Sequence, residues 1–454
     1  MNPHTDSLAR FTEELGGIRV LSAPEQLRRK SRDFFWYSPI LNEQLEGRTA
    51  DLVVVPQTED EVVTIARAAA RHGLPVTVRG GGTGNYGQCV PLAGGVVLDM
   101  TAMNRILSIR DGVAEVQAGV LLHALQQEAE KVGQQLRMFP STLRAATVGG
   151  FIAGGSAGVG SVRNGVLKDP GNVLSVQVVT LEETPRVLEL QGEDVQKVHH
   201  AYGTNGIITR VTLALQAAVH WYHSIATFGS YADATRFCHG ICGTDIDLFL
   251  LTAVESGFTP YYKHLAEYFP PGSHAVFAMV GEDSRERYRA QARAFGGQET
   301  LCLPEAELHA RRLPPAYECA YNHTTLQALK ADKSWTYLQF EHPHPFDLDL
   351  CTRFKQRFGD EVLCHDEFLR ATPTEYGAYG LPLVRFTTAA RQYEIMDFLE
   401  ASGCLIFDPH VYTIEDGGMK TIDQNQLAFK RLADPAGLMN PGKMKAWEAQ
   451  RAPA

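Results

Sequence analysis

The chain has 454 residues, of which 44% are hydrophobic and 21% charged, with a formal net charge of −10. That length supplies two or three domains and a sizeable core, and the composition is that of an ordinary soluble globular protein. The acidic balance excludes nucleic acid as the main partner, and no apolar run is long enough to span a bilayer.

The N-terminus, MNPHTDSLARFTEELGG, carries charges and lacks an apolar signal core, which predicts a cytoplasmic protein. The first fifty residues hold a short helical stretch and an aromatic cluster, Phe34-Phe-Trp-Tyr37, which reads as packing or as a wall near a cofactor. A buried strand over Leu52–Val55 leads to Thr58, which caps a helix with Glu61 completing a capping box. That helix runs to about His72 and stops at Gly73. A strand over Pro75–Val78 then enters Arg79–Gly95, RGGGTGNYGQCVPLAGG, in which seven of seventeen residues are glycine. Glycines this dense allow positive φ and close approach of backbone to a ligand, and consecutive free N–H groups make an anion-binding concavity. Gly82 to Gly87 spells GxGxxG, yet Pro91 and Gly94-Gly95 follow, and then a second strand rather than a helix. The dinucleotide mechanism needs that helix, so the motif reads as a phosphate-holding loop between two strands.

Strands over Val96–Met100 and Val113–Gln117 follow, then a helix from about Val120 to Val132 closed by Gly133. A second glycine region, FPSTLRAATVGGFIAGGSAGVGSVRNG, spans Phe139–Gly165, with seven glycines among the seventeen residues Gly149 to Gly165. It is too apolar for a solvated linker. One such region fits a close helix–sheet crossing; two favour a shared ligand. Val173–Thr180 and Arg186–Leu190 read as a hairpin, and Tyr202–Thr209 as a glycine-containing turn into the strand Val211–Leu215. From about residue 219 glycine thins and strands alternate with amphipathic helices, among them Ala232–Ile241, Ala275–Val280, Ser284–Phe295, Leu383–Thr387, Ala390–Ala401 and Cys404–Phe407, which predicts a second α+β domain. The tail from His410 holds a short helix, Gln424–Leu432, and a terminal turn, Leu438–Lys443. Eight cysteines form no CxxC and read as reduced thiols; Cys238 and Cys242 read as two small buried residues one helical turn apart.

In this order RGGGTGNYGQ, FPSTLRAATVGG with FIAGGSAG and SVRNG, GTNGIITRVTLAL and DPAGLMNPGK resemble the FAD-linked oxidoreductases with a vanillyl-alcohol-oxidase (PCMH) type FAD domain, and within them the glycolate oxidase and D-lactate dehydrogenase branch. The resemblance covers roughly the first half and the last tenth of the chain. It implies an α+β fold: a two-subdomain PCMH-type FAD-binding domain over 1–218, an α+β substrate (cap) domain with an antiparallel sheet over 219–409, and a segment over 410–454 returning to the FAD domain. It implies FAD contacts from Arg79, Gly80, Gly81, Gly82, Thr83, Gly84, Asn85 and Gln88. Further contacts would come from Pro140, Ser141, Thr142, Thr147, Gly149, Gly150, Gly154, Ser156, Ala157 and Gly160. Ile207 and Ile208 would lie at the adenine end, and Asn440 and Lys443 on the flavin side. The activity implied is oxidation of a small alcohol or 2-hydroxy acid such as glycolate or D-lactate, with electrons passed to oxygen, a quinone or a carrier protein. An aromatic alcohol or phenol is the alternative substrate, and an accessory flavoprotein subunit of a larger dehydrogenase the alternative role; a homo-oligomer is compatible with either.

Departures qualify the match. Thr83 stands where some relatives tether FAD through histidine, so FAD is expected to be non-covalent. The branch's His-rich metal motif is missing, and no metal site is expected. Glu341-His-Pro-His344-Pro reads as a polar turn, and Glu415-Asp-Gly-Gly-Met-Lys420 has Asp416 where the branch has histidine. For the base that removes the substrate hydroxyl proton the sequence offers His410 with Tyr412, on alternate positions of a strand, then Glu415. His410 reads equally as a satisfied structural histidine. Arg385 would pair with a substrate carboxylate. Tyr222, Tyr261, Tyr262 and Trp335 offer an aromatic wall or core packing.

Overall fold

The structure, a computed structural model, describes residues 3–451. Its first sheet has four strands in the order Arg19–Leu21, Leu52–Val55, Val96–Asp99, Val76–Arg79. The first pair is antiparallel and the other two are parallel. Adjacent parallel strands need a long crossover. The helix Glu59–His72 crosses from Leu52–Val55 to Val76–Arg79, while residues 80–95, without any helix, join Val76–Arg79 to Val96–Asp99. The helix is capped as its sequence predicts: Thr58 Oγ1 accepts from the Glu61 N–H, and Gly73 closes it at φ +63°. Glu61 itself reaches one residue further back, to the N–H of Gln57.

The second sheet is antiparallel, in the order Ile106–Arg110, Val113–Gln117, Ile207–Ala217, Val173–Val179, Val187–Gln191, with Gln134–Leu136 against the far end of Ile207–Ala217. It ends at Ala217, and from Trp221 a third, eight-stranded antiparallel sheet takes over, built on Trp221–Phe228, His274–Gly281, Leu248–Val254, His365–Arg370 and Tyr376–Gly380. The helices Tyr231–Ile241 and Arg285–Ala294 cover one face of it with Phe237, Ile241 and Tyr288.

The tail returns to the first sheet. The Val76 N–H donates to the Leu438 carbonyl and the Asn440 N–H to the Val76 carbonyl, both at 2.8 Å, so Met439 extends that sheet as a parallel neighbour. A buried ion pair fixes the turn: Lys430 Nζ lies 2.6 Å from Asp434 Oδ2 and donates to the carbonyls of Thr204 and Met439.

One expected strand is not formed. After the two-residue strand Leu405–Ile406 the chain turns, so His410 and Tyr412 lie in turn and loop and share no strand face. Asp408 accepts the His410 N–H at 2.8 Å, a local bond that competes with pairing.

Candidate functional site

The two glycine segments pack directly on each other. A Cβ at Gly81 would sit 2.1 Å from the Ala145 carbonyl oxygen, and one at Gly80 would sit 2.1 Å from Thr147 Oγ1. Thr147 is already occupied as the cap of the helix Val148–Gly154, accepting from the Gly150 N–H. Gln88 stitches the segments together, its Nε2 donating to the Gly154 carbonyl at 2.9 Å. Their other faces line one cleft of about 1750 Å³, open mouth included. Among the described residues, the backbone N–H groups of 81–85 donate to no protein acceptor. Five unspent donors in a row beside a cavity are what an anionic diphosphate requires.

Seventeen of the residues the sequence assigns to the cofactor line this cleft: Gly80 to Asn85, Gln88, Pro140, Ser141, Thr142, Thr147, Gly149, Gly150, Gly154, Ser156, Ala157 and Ile208. Five do not. Arg79 lies behind the loop, donating to the Arg32 carbonyl at 2.5 Å and to Cys89 Sγ at 3.2 Å. Its guanidinium fills the space a Cβ on Gly82 would need, which is why Gly82 is glycine at φ +65°. Asn440 and Lys443 also brace the loop from behind: Asn440 Nδ2 donates to the carbonyls of Gln88 and Tyr202, and Lys443 Nζ to that of Gly87. Burial pulls the Lys443 ammonium down to about 7 despite the nearby Asp33. Ile207 is a fully buried core residue one position from Ile208, so strand alternation sends it to the opposite face. Gly160 is held where a Cβ would sit 2.2 Å from the Arg137 carbonyl oxygen. Of the aromatic cluster, Phe34 and Tyr37 line the cleft.

None of the four candidate catalytic residues lines the cleft. His410 is 1% exposed; its Nε2 is 3.0 Å from the Tyr337 carbonyl and its Nδ1 is 2.7 Å from Ser38 Oγ. With both ring nitrogens engaged, and desolvation lowering its pKa to about 4, it is a structural histidine. Tyr412 lies under Lys443, 4.9 Å from its ring centroid. Glu415 accepts from the N–H groups of Lys445 and Ala446 at the start of the last helix. Arg385 is exposed, bonded to Asp332 and Ser334 and stacked on Trp335 at 4.1 Å. Tyr222, Tyr261, Tyr262 and Trp335 also stay out of the lining; Trp335 donates to Tyr261 at 2.8 Å, and Arg285 covers Tyr222.

The far wall comes instead from a segment that no motif marks. Tyr321, Asn322, His323 and Leu326 open the helix Asn322–Ala331, with Gln339, Tyr379 and Leu381 beside them. Tyr321 holds φ +50° and ψ −142°, a conformation that strains any residue but glycine. Two bonds impose it: Glu367 Oε1 accepts the Tyr321 N–H at 2.5 Å, and the Gly158 carbonyl accepts its hydroxyl at 2.6 Å. Glu367 is fully buried and fixed in turn by His365 Nε2 at 2.7 Å. His323 Nδ1 lies 3.1 Å from Glu318 Oε2, an ion-pair contact poorly aligned for a hydrogen bond. Desolvation opposes ionisation of Glu318, but His323, with the fields of Arg144 and Lys330, holds the carboxyl below its ordinary value.

On the opposite face of His365–Arg370, Asp366 gathers the Tyr231 hydroxyl at 3.0 Å, the Cys351 thiol at 3.3 Å and His342 Nε2 at 2.8 Å. His344, the other histidine of that sequence turn, pairs with Glu341 at 3.0 Å.

Residues 50–189 match the family model described as FAD binding domain. An uncharacterized FAD-linked oxidoreductase of Mycobacterium tuberculosis is 28% identical over 243 residues, covering 50% of this chain and 49% of that protein. A D-lactate dehydrogenase of Anaerostipes hadrus is 34% identical over 180 residues, 37% of each. The chain therefore spans about half, or less, of the length of these curated relatives. A solved alkyldihydroxyacetonephosphate synthase shares the fold, with a TM-score of 0.72 over 96% of this chain and 85% of that one at 17% identity.

Proposed function

We propose that the protein is an FAD-dependent oxidoreductase that oxidises a CH–OH group in this cleft, a reading supported by the match of residues 50–189 to the FAD binding domain model. The observation that carries the reading is the convergence of both glycine segments, the first with its unspent N–H donors, on a cavity whose far wall holds His323, with Glu318 behind it. Residues 1–218 hold the cofactor, 219–409 cover it, and 410–454 brace the first loop. The relatives' names point to a small alcohol or a 2-hydroxy acid such as D-lactate. The final acceptor is oxygen, a quinone or a carrier protein.

Bound FAD supplies a two-electron acceptor for the hydride that leaves the substrate carbon. The chain's task is to hold that carbon and to take the hydroxyl proton as the carbonyl forms. His323, as the neutral imidazole, takes it: its Nδ1 faces Glu318 at 3.1 Å, which leaves Nε2 for the substrate and places a carboxylate beside the imidazolium that forms. Tyr321, pinned at both its N–H and its hydroxyl, fixes the start of the helix that carries His323. FAD is held without a covalent bond. Cys89, which lines the cleft, has its thiol raised to about 11 by desolvation, so its thiolate is scarce.

Acid precipitation of the purified protein tests the attachment: yellow colour moves to the supernatant, and colour kept in the pellet contradicts it. Anaerobic mixing with a panel of alcohols and hydroxy acids tests the activity. Bleaching of the flavin by a CH–OH compound is expected, and a flavin that no member of the panel reduces contradicts the reading.

A further inference from the structure

The site carries information about substrate charge. Among the described residues that line the cleft there is no lysine, arginine, aspartate or glutamate. The phosphate end manages without a cation because backbone N–H groups are available there. The cap end has no such run: its wall is Phe34, Tyr37, Tyr321, Leu326, Tyr379 and Leu381, with His323 and the neutral amides of Asn322 and Gln339 among them. The Tyr321 hydroxyl is given to Gly158 and the Tyr86 hydroxyl to Gln339, and a polar group left without a partner, the Asn322 amide oxygen, is a neutral acceptor that offers a carboxylate nothing. His323, the one imidazole in the lining, already faces the Glu318 carboxylate. Arg144 and Lys330, whose fields reach Glu318, lie outside the lining. Arg385, the arginine the sequence offers as a carboxylate clamp, is spent at the surface on Asp332, Ser334 and Trp335.

We infer that the substrate carries no carboxylate beside its reacting carbon and is an uncharged alcohol with an aromatic or bulky apolar body. The inference rests on the function proposed above and narrows it. A carboxylate entering the cap end would give up water, find no free cation and meet the field of Glu318. An aromatic body gains contact with the tyrosines and leucines of the wall and needs only one polar partner, the hydroxyl, which His323 meets.

The test uses the flavin-loaded protein and two probes of nearly the same shape, mandelate and 1-phenylethane-1,2-diol, which differ in carrying a carboxylate or a neutral hydroxymethyl group. Each is titrated anaerobically while the visible flavin spectrum is followed. The diol is expected to bind about tenfold or more tightly than mandelate. Mandelate binding as tightly or more tightly overturns the inference, and so does a loaded protein whose spectrum responds to neither. A protein without flavin absorbance contradicts the function proposed above instead. Leu326→Arg places a cation in the wall and is expected to shift the preference toward mandelate; an unchanged preference overturns the inference.

Discussion

A methyl group at Gly81 would meet the Ala145 carbonyl oxygen at 2.1 Å, and neither backbone can withdraw without separating the two glycine segments. Gly81→Ala is therefore expected to cost about 1–3 kcal/mol, the usual penalty of overpacking, and to lower flavin content; thermal melts and the absorbance ratio of the purified variant check both. The two histidines separate at the same scale. His323→Ala should slow anaerobic flavin reduction by about 10²-fold or more. His410→Ala should leave that rate unchanged while costing about 2 kcal/mol, because Ser38 and the Tyr337 carbonyl lose a buried partner. Stopped-flow reduction and denaturant unfolding tell the two apart, and equal kinetic losses would contradict the assignment. The glycines were legible because only they tolerate such approach. His323 was not, because nothing in Tyr321-Asn-His announces that Glu367 and Gly158 will turn this segment into the cleft.

Elements were legible where local physics decides them. Thr58, Glu61 and Gly73 fix the helix Glu59–His72, and the breakers Pro91 and Gly94-Gly95 correctly leave the first glycine loop without one. The stretch at His410 misled because hydrophobic residues on either side of a turn imitate a strand, while its ring is satisfied by Ser38, far away in sequence. Arg79, Asn440 and Lys443, expected at the cofactor from the resemblance alone, have side chains that act on the back of the loop, a distinction that spacing does not carry. The tail depends on the buried Lys430–Asp434 pair. Lys430→Ala leaves Asp434 buried without its cation and should cost about 3–5 kcal/mol. Limited proteolysis should then cut ahead of Leu438 sooner than in the parent protein; equal cutting would show that the Val76 pairing alone holds the tail.

For the whole molecule, burial of neutral imidazoles sets an acid limit. Desolvation pulls His200 and His410 down to about 4 and His223 to about 3 from an ordinary 6.5. The native state keeps them neutral while the unfolded chain protonates, so their contribution is full above 6.5 and is lost as pH falls toward 4. Asp33 and Asp408, raised by desolvation to about 6, act in the opposite sense, favouring the native state as pH falls below 6. Desolvation also lowers His199, His239 and His274, so the imidazoles outnumber the two raised carboxyls and leave a net loss on acidification; Tm should fall between about pH 6.5 and pH 4.5, and a flat or rising Tm contradicts this. The α+β class and the return of the tail were legible from the order of motifs. The substrate wall was not, because it is assembled across sheets by packing. The central claim is that the cleft between the two glycine segments holds FAD. The flavin content of the purified protein, read from its visible spectrum and from the flavin released by acid, tests it most directly. One FAD per chain, lost in Gly81→Ala, is the predicted result. A colourless protein that takes up no added FAD would contradict it.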